Sequence, residues 1–167
     1  PCGVIAIDDC SPFDITAIRD QYPEVEWMAT TANRGPYHAC NLAMSRVTAD
    51  WVAIQDADDV ACGYRIEHAI DLMAKKGGHV FTANMVNFAS DTIDPGSRLA
   101  ARLQGRQLVE SADGDNLTMV NGTMVIATEV FRQLGGFAEF FAGADYEFCQ
   151  RLKCSAVKVC VSDVVVG

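Results

Sequence analysis

The segment WVAIQDADDV (51–60) ends an apolar run in Asp56, Asp58 and Asp59. Carboxylates packed this closely repel one another, so a positive charge is needed to offset the cost. A second acid pair, Asp8 and Asp9, follows the apolar run VIAI. Magnesium and manganese are hard cations that prefer oxygen ligands, and magnesium is often held by one or two carboxylates plus substrate phosphates. Asp56 and Asp58, one residue apart, could both reach such an ion, which would neutralise a diphosphate as it departs. Asp59 is expected to cap the next helix instead. For any single Asp, capping is the ordinary role. Two acid groups at matching strand ends point past it, to a site. A further acid, Asp145, stands near the start of the helix-like GADYEFCQRLKC (143–154). Its ordinary role there is to complement the helix dipole.

The elements that must position these acids alternate between strand and helix. GVIAI (3–7), VEWMA (25–29), WVAI (51–54) and HVFTANMVNF (79–88) read as strands. Between them DITAIRDQY (14–22), PYHACNLAMSRV (36–47) and YRIEHAIDLMAKK (64–76) carry apolar residues at helical spacing, the last ended by a glycine pair. Such alternation predicts an α/β fold, a mostly parallel sheet with helices on both faces, with ligands bound beyond the carboxyl ends of the strands. The pattern fails from 90 to 116, where loop chemistry surrounds a short helix expected at 98–104. It returns with a strand at 122–127, a helix in TEVFRQLGG with Thr128 as its N-cap, the helix at 143–154 and a final strand-like AVKVCVSDVVV.

At 167 residues, 50% hydrophobic and 21% charged, the chain fits one globular domain, 1–167. A net charge of −9 argues against a nucleic-acid partner. It leaves a metal-mediated nucleotide open. No apolar run is long enough to span a membrane. Pro1 is not an initiator Met and strand-like sequence begins almost at once, so the chain is expected to be part of a longer one. The seven cysteines are odd in number and scattered without a C-x-x-C, as expected for reduced thiols in the cytoplasm. Cys149, Cys154 and Cys160 match no common zinc spacing and are expected to be small buried hydrophobes.

IDDCS followed by NRGPYHACNLAMSRVTADWVAIQDADD resembles a family 2 glycosyltransferase of the GT-A fold. That family shows a VDDGS-like strand end, an N-x-G…A-R-N-x-G helix and a D-x-D metal site. NGTMVIATEVFRQLGGF…GADYEFCQRL is similar to its R-x-x-[FL]-x-x-x-GGF…GED-x-[DE]-[LF]-x-x-R-[LW] block. The resemblance implies a three-layer α/β/α sandwich with a mostly parallel, mixed sheet. It also implies inverting transfer of a sugar, of hexosyltransferase type, from a nucleoside-diphosphate sugar to an acceptor hydroxyl on a saccharide or lipid-linked saccharide. Asp8 and Asp9 then match the acids that contact base and ribose, with Ser11, Arg34 and Asp56 also on the nucleotide. Asp58 and Asp56 match the D-x-D that holds Mn²⁺ or Mg²⁺, Asp58 as the direct ligand. Asp145 matches the catalytic base. The loop-rich 90–121 becomes the acceptor side.

Several positions depart from the pattern. Ala144 replaces the usual Glu beside the base, and Cys40 stands where Arg is common. No Q-x-x-R-W follows, which separates the chain from the processive synthases. The His that often follows the last strand has no counterpart in His38, His68 or His79. The family's first apolar strand, which lies between those matching 3–7 and 51–54, is also without a counterpart. Those two strands should therefore either close together or leave a slot for another segment, the latter making the chain a homo-oligomer. Other readings are a catalytically inactive GT-A-like binding domain, a nucleotidyltransferase lacking its basic phosphate loop, and a phospho-acceptor receiver domain with Thr82 as switch residue. The receiver would need a lysine after its last strand.

Overall fold

The apolar runs become strands and the amphipathic runs helices in the computed structural model, which describes residues 2–85 and 121–167. The order is β1 (Ile5–Asp8), α1 (Thr16–Gln21), β2 (Glu26–Ala29), α2 (Pro36–Met44), β3 (Trp51–Ala53), α3 (Arg65–Lys76) and β4 (Val80–Asn84). A 3₁₀ turn (Asn121–Thr123), β5 (Val125–Ala127), α4 (Thr128–Gln133), α5 (Ala144–Lys153) and β6 (Val159–Val165) follow. The helix expected at 98–104 and nearly all of the expected acceptor loop, 90–121, lie outside the described residues.

Chain chemistry sets the boundaries. Pro36 opens α2, where its missing N–H is no loss, and Gly77 closes α3 with φ 65°, a left-handed conformation that a side chain would disfavour. Thr128 is not the cap of α4 but its first residue. Its hydroxyl donates to Ala49 O at 2.7 Å, tying α4 to the residues before β3 instead of to its own amides.

Among the described residues the strands form two sheets, β1–β2 and β3–β5–β4–β6. β1 pairs with β2 in parallel and β4 with β6 in parallel, while β5 runs antiparallel to both β3 and β4. The fold is α/β with a mixed sheet. Alternation along β4 and β5 splits the core in two. Val80 and Ile126 join Tyr37, Phe131, Phe137, Phe148 and Leu152 on the face covered by α2, α4 and α5. Phe81 and Val125 join Ala69, Met73 and Cys160 on the face covered by α3. Helices therefore cover both faces of the larger sheet. Cys149 and Cys160 pack as core hydrophobes, as their apolar neighbours suggest, while Cys154 is exposed. β1 and β3 do not pair, so the two strands have not closed on one another.

Candidate active site

β3 delivers the chain into the acidic turn, where Asp59 N–H donates to Asp56 O at 3.2 Å. Asp56 is partly buried. Burial pushes its carboxyl above the usual carboxylate range, and the negative charges of Asp59, Asp58 and Asp145 push further, opposed by Arg65. Asp59 is raised by burial and then by Asp58, again opposed by Arg65. Asp58 is exposed. Asp59 does not cap α3, which has Tyr64 at its N-cap and no side-chain cap. Its carboxylate instead lies against Gly122 of the 3₁₀ turn, where a Cβ would collide with Oδ2.

Asp145 comes to the same place from the first turn of α5. Its Oδ1 accepts hydrogen bonds from Tyr37 Oη at 2.8 Å and from the Tyr146 amide at 2.9 Å. Tyr37, 8% exposed, has its hydroxyl pushed up to about 12, by burial first, then by the Asp145 hydrogen bond and charge, and by Asp56. One turn along α2, burial and then the charge of Asp56 push the Cys40 thiol up to about 11, so it stays neutral at pH 7. The starts of α2 and α5 and the turn after β3 thus surround one group of acids.

Clustered carboxylates with one guanidinium opposing them are donor chemistry suited to a hard divalent cation. Among the described residues no three His, Cys, Asp or Glu side chains converge to cage an ion unaided. The fit is to an ion held by one or two carboxylates and completed by phosphate oxygens of a ligand.

The first acid pair is tied into the fold. Asp8 Oδ1 accepts the Ser11 amide at 2.9 Å and Oδ2 lies 3.5 Å from Arg19 Nη2. The Ser11 hydrogen bonds hold its carboxyl below the usual range against desolvation, with a lesser contribution from Arg19. Asp9 accepts from Thr30 Oγ1 at 2.7 Å, from the Arg34 amide at 3.0 Å and from the Gly35 amide at 2.7 Å. It fastens the end of β1 to the start of α2, one residue before the turn that carries Tyr37. Arg34 pairs with Glu139 at 2.6 Å, and His38 Nδ1 lies 3.0 Å from the same carboxylate.

The sequence profile of glycosyl transferase family 2 matches residues 1–135. The chain belongs to that family. Solved glycosyltransferases share its fold. S. aureus TarS 1-349 in complex with UDP-GlcNAc superimposes with TM-score 0.73 at 20% identity, over 98% of this chain and 48% of TarS 1-349. Mannosyltransferase PcManGT from Pyrobaculum calidifontis, in complex with GDP-Man and Mn²⁺, gives 0.70 at 20% identity, over 98% of this chain and 46% of its own. The chain therefore spans about half the length of these proteins, and at such identities the likeness speaks for the GT-A fold alone. No curated protein matches the chain significantly.

In this family 2 member Cys10 takes the place of the glycine of VDDGS, and it adopts φ 59°, the left-handed conformation that glycine accepts without cost. The receiver reading gives way to the family: Thr82 is fully buried against Thr123 Oγ1 at 3.1 Å and is not a surface switch. The sequence reading missed Tyr37, Arg65 and Gly122. Gly122 had a signal in NGT. Tyr37 and Arg65 had none, because both look like ordinary helix residues and their partners lie far along the chain.

Proposed function

We propose that the chain is the donor-side domain of an inverting glycosyltransferase, moving a hexose from a nucleoside-diphosphate sugar to a hydroxyl of a saccharide or lipid-linked saccharide. One observation supports the reading: Asp145 is held by Tyr37 and its charge reaches Asp56, so the proposed base stands close to the proposed leaving-group site. Asp58 and Asp56 would hold Mn²⁺ or Mg²⁺, which when bound offsets the charge of the departing diphosphate. The partly buried Asp56 fixes that end, and the exposed Asp58 presents a second carboxylate to a phosphate-bound ion. Asp8, Ser11 and Arg34 line the nucleotide side, with Asp9 shaping the turn beneath them.

Tyr37 and the Tyr146 amide both hold Oδ1 of Asp145, which leaves Oδ2 to take the acceptor's proton. The acceptor oxygen then bonds to the anomeric carbon as the bond to the diphosphate breaks on the opposite face. The odd number of unpaired thiols supports the cytoplasm as the compartment. Among the described residues no helix is long and apolar enough to cross a membrane.

Ala144, fully buried where the family places Glu, favours a second reading, a GT-A domain that binds nucleotide without transfer. Titration of UDP and GDP with and without Mn²⁺, paired with a transfer assay from UDP- and GDP-sugars, separates the two. Asp58→Asn should weaken Mn²⁺-dependent nucleotide binding by about tenfold or more. Asp145→Asn should abolish transfer and leave donor affinity nearly intact, because the base acts on the acceptor. Metal-dependent binding with no transfer supports the second reading. Unchanged metal dependence in Asp58→Asn removes that residue from the metal site.

A further inference from the structure

The acidic turn already holds one positive charge. Arg65, the first residue of α3, is 2% exposed. Its Nη1 donates to Gln55 Oε1 at 2.7 Å, and its Nη2 donates to Ile54 O at 2.5 Å and Met124 O at 3.2 Å. Gln55 passes the constraint on, since its Nε2 donates to Asp56 O at 3.1 Å and Asp59 O at 3.0 Å. Met124 O also accepts the Ile54 amide at 3.0 Å. One guanidinium therefore binds the residue after β3 and the residue after the 3₁₀ turn that packs on Asp59, and only through Gln55 does it reach the carbonyls of the acidic turn.

A buried guanidinium is a costly way to tie backbone together. Losing its hydration is repaid only by good geometry and opposite charge, and a neutral side chain would serve a mere staple better. Among the described residues Nε is buried without a hydrogen-bond partner, so backbone ties alone do not account for the whole group. The opposite charge comes from Asp56 and Asp59, to whose mutual repulsion Arg65 is the counterweight. Cys40, which also feels the charge of Asp56, stays a neutral thiol and supplies no positive charge.

We propose that Arg65, acting through Gln55, is a positioning residue that pre-forms the 55–59 turn so that Asp56 and Asp58 meet a divalent cation without rearrangement. The proposal rests on the reading of these two acids given above. Residues that orient metal-binding side chains typically contribute 10–100-fold to metal affinity, without touching the metal. Arg65 is suited to this because its rigid planar fork holds acceptors in fixed directions, whereas the donors of a lysine ammonium rotate on a flexible stem.

The test compares the unsubstituted chain with Arg65→Lys and Gln55→Ala, the second at an exposed position whose side chain is not part of the core. Mn²⁺ binding is followed by its electron paramagnetic resonance spectrum, alone and with UDP or GDP, and nucleotide affinity is measured again in a chelator. Hydrogen exchange at the Asp59 amide reports the turn with no metal present. Arg65→Lys should weaken Mn²⁺ by about tenfold or more and Gln55→Ala by about three- to tenfold. Nucleotide affinity in chelator should stay within about twofold, and the Asp59 amide should exchange faster in both variants. Mn²⁺ affinity equal to the unsubstituted chain in folded Gln55→Ala overturns the proposal. So does equal loss with and without metal, which would make Arg65 a support of the whole cleft. An unsubstituted chain that binds no Mn²⁺ overturns the metal-site reading itself and this proposal with it, a result distinct from the other two.

Discussion

Asp56 carries a conflict between folding and binding. Burial and three like charges raise its carboxyl, so the folded chain favours the protonated form. A raised carboxyl contributes stability that is present at low pH and lost as pH rises through the folded-state value. At neutral pH and without a cation the ionised Asp56 therefore destabilises the fold. Asp56→Asn is expected to raise the melting temperature of the metal-free chain at pH 7 by ~2–4 °C, the equivalent of about 1 kcal/mol for a domain of this size. The effect is small because solvent still reaches and screens this group. The gain should vanish below about pH 4, where the native Asp56 is itself protonated. Mn²⁺ binding should weaken in the same variant. Thermal melts across pH 3–8 check this, and a lowered melting temperature at pH 7 would mean that Asp56 is already compensated. The crowding behind this conflict was legible in the sequence, because repulsion between neighbours is a local property. Its resident counter-charge was not. Arg65 looks like any first-turn arginine until the fold brings Ile54 O and Met124 O to it.

At the scale of elements, the loop before α5 decides where Asp145 stands. Asn41 of α2 donates from Nδ2 to Phe137 O at 2.8 Å and accepts the Phe137 amide on Oδ1 at 2.9 Å. Gly136, at φ 72°, lets this approach happen, since a Cβ there would lie 2.7 Å from Asn41 Oδ1. From the other side Arg151 of α5 donates to Gly136 O at 2.7 Å and to Leu134 O, pairs with Glu147 at 2.6 Å and lies over the Phe148 ring. The GGF…R pattern is thus a clamp between helices, and Phe137 is driven into the ring cluster of Tyr37, Phe131 and Phe148. Asn41→Ala leaves a donor and an acceptor of Phe137 unmet and should cost about 2–4 kcal/mol. Asn41→Asp keeps the acceptor but turns a carboxylate oxygen toward Phe137 O, so it should lose at least as much. Urea unfolding of both variants is the measurement, and near-native stability in either would show that the two bonds carry no weight. Element positions followed from periodicity to within a few residues. Cap chemistry did not, because the Thr128 hydroxyl bonds Ala49 O instead of its own helix and α3 starts too far along the chain for Asp59, with Tyr64 at its N-cap.

For the whole molecule, the division of the sheet is the consequential feature. β1 has β2 on one side and β3 has β5 on one side, and among the described residues neither has a strand on the other. Both are short of cover: β1 is only partly buried and Trp51 at the start of β3 is 36% exposed. The mixed α/β architecture could be foreseen from the alternation of elements, and the missing pairing from the resemblance. What fills the space is a matter of association, outside the reach of local pattern. Unpaired strand edges recruit strands from other chains, and each backbone group buried without a partner costs about 1–3 kcal/mol. The 167-residue chain on its own is therefore expected to sediment as a dimer or larger species at micromolar concentration. Its nucleotide affinity should be weak, since the turn after β1 is held on one side only. A synthetic apolar strand peptide supplied in trans should return the chain to a monomer and tighten nucleotide binding together, because one strand would satisfy both edges. Sedimentation velocity and titration with UDP or GDP, each run with and without the peptide, make the test. A monomer that binds nucleotide at micromolar strength without any added strand would show that β1 and β3 stand stably apart and that the slot recruits nothing.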